Sequence, residues 1–247
     1  MRLKIRLNYS QNFTPKKRIK KTIKFIIIHY TGMKKESSAI KKLVSSNSKV
    51  SSHYFIKDSG EILAMVPDLY AAWHAGKSKW KNFISLNNYS IGIEINNPGH
   101  DYGYRNFSSK QINSLLSLIK HLIKKFNINH KNILGHSDIA PDRKKDPGEK
   151  FPWEYLSKKK ICQWHTLKKQ ELIKNRKIKI SKIDEISFYN NLFKIGYSKK
   201  IPKNLDKDKY LRYVAKAFQR RFRQDLINSK IDRECLLISK NLINRYK

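Results

Sequence analysis

With 247 residues, 39% of them hydrophobic and only 9 Gly and 7 Pro, the chain can bury a real core, which excludes wholesale disorder and long low-complexity linkers. Lys and Arg number 54 against 19 acids, a formal charge of +35. Such a field attracts polyanions. The cations are nevertheless spread along the whole chain, as on solvated faces, and accompany no helix-turn-helix, zinc-finger or RNP pattern, so no specific nucleic-acid partner is expected.

Residues 1–22 form a basic arm that lacks the apolar stretch of a secretory signal. No stretch approaches the roughly 20 apolar residues of a membrane span. The expected location is therefore the cytoplasm, with the periplasm or cell envelope as the alternative. The arm either adds a strand to a sheet edge or stays a polybasic tail. Ile23 to Ile28 is a short, β-branched apolar run that predicts a buried strand ending at His29-Tyr30-Thr31-Gly32. A short helix is expected from Ser37 to Val44. Ser52 to Ile56 and Ile62 to Val66 read as strands joined by the turn Asp58-Ser59-Gly60. Tyr89 to Ile95 is another buried strand.

The clearest helix spans Ser109 to Phe126. Ile112, Leu115, Leu116, Ile119, Ile123 and Phe126 recur at helical spacing behind a Ser cap. Asn132 to Gly135 predicts a last strand, leading into His136. Residues 161–182 are basic and poorly periodic, as a linker would be. Three amphipathic helices follow. Ile186, Tyr189 and Phe193 mark the first, which Gly196 ends. Tyr210, Val214, Phe218 and Phe222 mark the second. Leu236, Ile238 and Leu242 lie behind an Asp232 cap in the third. The expected architecture is α/β: a mixed central β-sheet flanked by helices over residues 1–160, the linker, then a small three-helix bundle over 183–247. Cys162 and Cys235 fall in different parts and make neither a disulfide framework nor a Cys-type zinc site.

A catalytic zinc needs three protein ligands and an open position. His29 and His136 at strand ends, with Asp146 in the following loop, would give a His₂Asp set. Taken singly, each His also reads as an ordinary core or surface residue. Glu94 lies inside the apolar strand IGIEI, where a carboxylate is costly unless paired or used. Burial would raise its pKa, as suits a general base. Lys144 could stabilise an oxyanion or be one more lysine.

Five segments carry a resemblance: HYTG at 29–32, SSHYFI at 51–56, AWHAG at 72–76, SIGIEI at 90–95 and GHSDIAPDRKKDPGEKFPW at 135–153. In this order they resemble the zinc-dependent N-acetylmuramoyl-L-alanine amidases, a family that includes the anhydro-muropeptide amidases and peptidoglycan-recognition relatives. The resemblance covers about residues 20–160. It implies one Zn²⁺ per chain on His29, His136 and Asp146, and Glu94 with Lys144 as the catalytic pair. The reaction implied is hydrolysis of the bond between N-acetylmuramic acid, or its 1,6-anhydro form, and L-alanine. His53, Trp73 and His74 match positions near the family's substrate groove, with core packing as the alternative. Arg143 would contact a muropeptide carboxylate or remain a solvated charge. A peptidoglycan or muropeptide substrate is implied, and no protein partner. The rival is a recognition module without catalysis, disfavoured because Asp146 is present. AKAFQRRFR at 215–223, followed by Ile231-Asp232, resembles the three-helix peptidoglycan-binding domain, with Cys235 where a Thr is usual.

Overall fold

The computed structural model describes residues 4–245. In chain order the strands are β1 (Ile5–Leu7), β2 (Phe13–Thr14), β3 (Phe25–Tyr30), β4 (Tyr54–Ile56), β5 (Ile62–Ala64), β6 (Ala71–Ala72), β7 (Lys79–Trp80), β8 (Phe83–Ile84), β9 (Ser90–Ile95) and β10 (Ile133–Gly135). The helices are α1 (Glu36–Val44), α2 (Ser109–Phe126), α3 (His136–Ile139), α4 (Trp153–Lys158), α5 (Lys169–Asn175), α6 (Lys182–Ile195), α7 (Lys207–Phe222) and α8 (Arg233–Asn244). No helix is long and apolar enough to cross a membrane.

Six strands form one mixed sheet in the order β1-β5-β4-β9-β3-β10. Only β4 and β5 run antiparallel, across the turn expected at Asp58-Ser59-Gly60; the other pairs are parallel. The basic arm takes the first of its two options, since β1 adds an edge strand beside β5. Further along the arm, β2 pairs with β6 just before Trp73.

Alternation along the strands divides the core. Ile26 and Ile28 of β3, with Ile91, Ile93 and Ile95 of β9, face α2. The inner face of α2 is the periodic stripe seen in the sequence, and Leu115, Ile119 and Leu122 are wholly buried. Each such side chain contributes about 1.5–3 kcal/mol. A capping box starts the helix: the Ser108 hydroxyl accepts from the N–H of Gln111, whose side chain accepts from the N–H of Ser108.

The opposite sheet face is covered in three zones. Ala39 and Leu43 of α1 lie on Phe55 and Leu63. A polar layer of histidines covers β9 and the end of β3. The C-terminal helices cover Phe25, Ile27 and Leu134. The bundle therefore shares its core with the sheet: Phe188, Leu192, Val214 and Phe218 belong to the same apolar cluster as Phe25 and Ile27.

Two details depart from the periodic pattern. The inward stripe of α6 is Phe188, Tyr189, Leu192 and Ile195, whereas Ile186 is 55% exposed; the neighbours α7 and α8 select which face turns in. The stretch 161–182 carries α5, whose Leu172 is buried in the bundle's cluster. Gly196 ends α6 against Trp80, where a Cβ would lie 2.3 Å from the indole. Both cysteines are buried and free.

Candidate active site

Parallel pairing carries the C-terminal ends of β3, β9 and β10 to one edge of the sheet, the place where open α/β sheets assemble sites. His29 is the fifth residue of β3, and Glu94 is its register partner on β9. Gly135 ends β10 and His136 opens α3 directly after it. Asp146 returns from the loop beyond, where its carbonyl accepts from the N–H of Ser137 at 2.9 Å.

Three side-chain atoms converge there. His29 Nδ1 lies 2.9 Å from His136 Nδ1, and Asp146 Oδ2 lies 3.0 and 3.1 Å from the two nitrogens. Each imidazole has its other nitrogen engaged: His29 Nε2 with His74 Nδ1 at 3.0 Å, and His136 Nε2 with the carbonyl of Ala75 at 3.2 Å. Because a carbonyl only accepts, His136 carries its proton on Nε2 and its Nδ1 is bare. Two ring nitrogens and a carboxylate oxygen on one point repel unless a cation lies among them, so the donor set fits a metal ion. Among the described residues these three form the group that could hold one.

Electrostatics follow from burial. Burial lowers the pKa of His29 to about 4, and the neighbouring His136 adds to this against the pull of Asp146. For Asp146, burial pushes upward but is outweighed by His136 and His29, and the carboxyl is held far below the usual range. Glu94 is raised well above its ordinary value, by burial first and then by Asp146, against the charges of Lys144 and Lys42. Its Oε2 is enclosed and has no hydrogen-bond partner.

The cleft above these groups holds about 340 Å³, and Trp73, Glu94, Arg143 and Lys144 line it. The Trp73 indole N–H donates to Thr14 Oγ1 at 3.2 Å, tying the arm to the cleft lip. Arg143 braces the neighbouring loop through Nε and NH2, which donate to the carbonyls of Ala75 and Lys77. His74 is 8% exposed and is among the residues that line the cleft. His53 is wholly buried outside the cleft lining. There its Nδ1 accepts from the N–H of Gly92 at 2.9 Å and its Nε2 donates to the Tyr70 carbonyl at 3.0 Å.

Sequence reasoning passed over Lys42, which lines the cleft from α1. It also passed over Arg18, which looks like one more cation of the arm. Arg18 donates to the carbonyls of Asn87, Ser90 and Asp68 beneath the histidines. Ser90 escaped notice as well, although it shares the β9 face of Glu94 by simple alternation.

The sequence pattern of the N-acetylmuramoyl-L-alanine amidases matches residues 19–149. N-acetylmuramoyl-L-alanine amidase AmiD of Escherichia coli (strain K12) is 33% identical over 236 residues, 91% of this chain and 83% of AmiD. This chain belongs to the N-acetylmuramoyl-L-alanine amidase family. Another relative, the 1,6-anhydro-N-acetylmuramyl-L-alanine amidase AmpD of the same organism, is 41% identical over 105 residues, 42% of this chain and 55% of AmpD. Two solved structures share the architecture over most of the chain. AmiD, in complex with the substrate anhydro-N-acetylmuramic acid-L-Ala-D-gamma-Glu-L-Lys, superposes with a TM-score of 0.78 at 32% identity, covering 91% of this chain and 90% of AmiD. AmpDh3 from Pseudomonas aeruginosa gives 0.78 at 29% identity, covering 94% of each. This amidase thus shares with AmiD and AmpDh3 a fold that extends through its C-terminal helices.

Proposed function

We propose that this protein hydrolyses the amide bond between N-acetylmuramic acid, or its 1,6-anhydro form, and the L-alanine of a peptidoglycan stem peptide, as a zinc enzyme. The observation that carries the reading is the convergence of His29 Nδ1, His136 Nδ1 and Asp146 Oδ2 beside the enclosed Glu94 carboxyl, in a chain 33% identical to AmiD over 91% of its length.

His29, His136 and Asp146 would hold one zinc ion, for which two imidazoles and a carboxylate are apt donors. When bound, zinc supplies Lewis acidity that polarises a carbonyl and acidifies water. The Glu94 carboxylate, which lines the cleft, accepts the proton of the attacking water. The water oxygen adds to the lactyl carbonyl carbon, and the Lys144 ammonium faces the negative charge growing on the carbonyl oxygen. As the C–N bond breaks, Glu94 returns the proton to the alanine nitrogen. The raised affinity of Glu94 for a proton suits both transfers. Trp73 on the lip offers an aromatic surface to a sugar ring.

The test is incubation with a 1,6-anhydro-muropeptide, with and without chelator, read by mass spectrometry. Release of free stem peptide that chelation abolishes and added zinc restores is the expected result. Cleavage surviving complete metal removal would overturn the zinc scheme. Intact substrate with zinc bound would leave a recognition module.

We further propose that residues 183–247 bind the wall. Support comes from a groove of about 810 Å³ between α6 and α7, in which Ile186, Tyr189 and Phe193 adjoin Lys182 and Lys199. Aromatic and apolar floors suit sugar faces, and cations suit stem-peptide carboxylates. Phe193→Ala should reduce cosedimentation with insoluble peptidoglycan; unchanged sedimentation would sink this assignment.

A further inference from the structure

Beneath the candidate metal site runs a buried chain of hydrogen bonds whose direction is set at its far end. The Ser90 hydroxyl lies 2.6 Å from the carbonyl oxygen of Leu86. Two oxygens so close require a proton between them, and only the hydroxyl can supply it. The Ser90 oxygen must therefore accept from its next neighbour, His74 Nε2, at 3.1 Å. A neutral His74 with its proton on Nε2 has a bare Nδ1, which faces His29 Nε2 at 3.0 Å. His29 must then donate from Nε2, and its lone pair is left on Nδ1, toward His136 and Asp146. Ser90, His74 and His29 are 0%, 8% and 1% exposed, so water does not compete for these bonds.

The surrounding chain is built to keep this order. Gly92, the next residue on the same face of β9, leaves room for the ring: a Cβ there would lie 2.4 Å from His74 Cγ. Asn87 Oδ1 accepts from the backbone N–H groups of both His74 and Ala75, at 3.1 and 2.7 Å. The Ala75 carbonyl in turn accepts from His136 Nε2. One dipeptide thus orients both imidazoles, one through a side chain and the other through a carbonyl.

We propose that His74 and Ser90 are positioning residues that hold His29 in its Nε2–H tautomer and so present a bare Nδ1 to the metal ion. This rests on the zinc reading above and assigns to the His74 side chain a task other than touching substrate. Outer partners of this kind set the tautomer and basicity of metal-bound histidines, and their loss weakens metal binding by about 10–100-fold.

The test measures zinc affinity directly, by competition with a chromogenic chelator, on wild type, His74→Phe, Ser90→Ala and the double variant. His74→Phe should bind zinc about 10–100-fold more weakly, and Ser90→Ala should weaken binding by a smaller factor. The double variant should match His74→Phe alone, because Ser90 acts only through His74; independent packing roles would instead multiply. Wild-type affinity in His74→Phe, or multiplied losses in the double variant, would overturn the proposal, as would a wild type that binds no zinc. Imidazole ¹⁵N spectra of the zinc-loaded wild type need no variant to fold. Both His74 and His29 should carry their proton on Nε2, and a proton on His74 Nδ1 would overturn the assignment. Neither readout involves turnover, so a confirmed relay without muropeptide cleavage would sink the amidase reading and leave this one standing.

Discussion

Arg221 of α7 and Asp138 of α3 form an ion pair across the boundary between the sheet domain and the C-terminal helices, NH1 to Oδ2 at 2.5 Å, with side chains 4% and 1% exposed. The carboxylate is fully engaged: the N–H of Gly135 donates to Oδ2 at 2.8 Å and the Tyr197 hydroxyl donates to Oδ1 at 2.7 Å. Arg221 also donates to the Ile133 carbonyl at 2.9 Å and lies over the Trp153 ring. Asp138 stands two residues beyond His136, so the helices of the bundle brace the turn that carries a candidate metal ligand.

Removing one partner leaves a buried charge uncompensated. Arg221→Ala should destabilise the protein by about 3–5 kcal/mol, read from urea unfolding. Arg221→Met, which fills the space but keeps the Asp138 charge unpaired, should recover only part of the loss. A change below about 1 kcal/mol in Arg221→Ala, the range of an exposed pair, would show that the contact does not brace the domains.

The role proposed for Glu94 is to move protons, and it is not among the three residues that could hold the metal. Glu94→Gln should retain zinc at wild-type stoichiometry while turnover of a 1,6-anhydro-muropeptide falls by about 10²-fold or more. Loss of zinc in parallel with activity would reassign Glu94 to the metal site.

His165 packs beside Trp164 where the sheet domain gives way to the C-terminal helices. Burial lowers its pKa to about 4, against the opposing pulls of Glu154 and a hydrogen bond to Phe222. Folded His165 therefore stays neutral down to about pH 4, whereas in the unfolded chain it takes up a proton below about pH 6.5. The unfolded state binds more protons in that window, so the contribution of His165 to stability is present above about pH 6.5 and is lost as pH falls toward 4. The ceiling is about 3 kcal/mol. His165→Asn should flatten the decline in unfolding free energy between pH 7 and 4.5, and an unchanged slope would exclude His165 as a source of acid lability.

Local chemistry makes some of this molecule legible before it folds. The stripe of α2 with its Ser108 cap, and the apolar runs of β3 and β9, depend on neighbours three or four residues away or on simple alternation. His29, Glu94, His136 and Asp146 were singled out by the five segments that resemble the amidase family, since each His taken singly also reads as an ordinary residue; parallel pairing of β3, β9 and β10, with the loop after α3, then brings them together. The arm's choice between edge strand and free tail was not readable, since it depends on whether β5 has an unpaired side to offer.

Amino-acid order alone thus marks out the α/β class and the four side chains at the heart of the site. Folding decides which nitrogen of each histidine is bare, because the Leu86 and Ala75 carbonyls that set the protons lie 57 and 61 residues from the rings they orient. It decides that His53 lies outside the cleft lining while His74, though largely buried, contributes to it, since a histidine motif has the same letters whether its ring faces substrate or strand. It also decides that the C-terminal helices share a core with the sheet: the apolar stripes of α6 to α8 pack on one another and on Phe25, Ile27 and Leu134, which lie far away in the sequence.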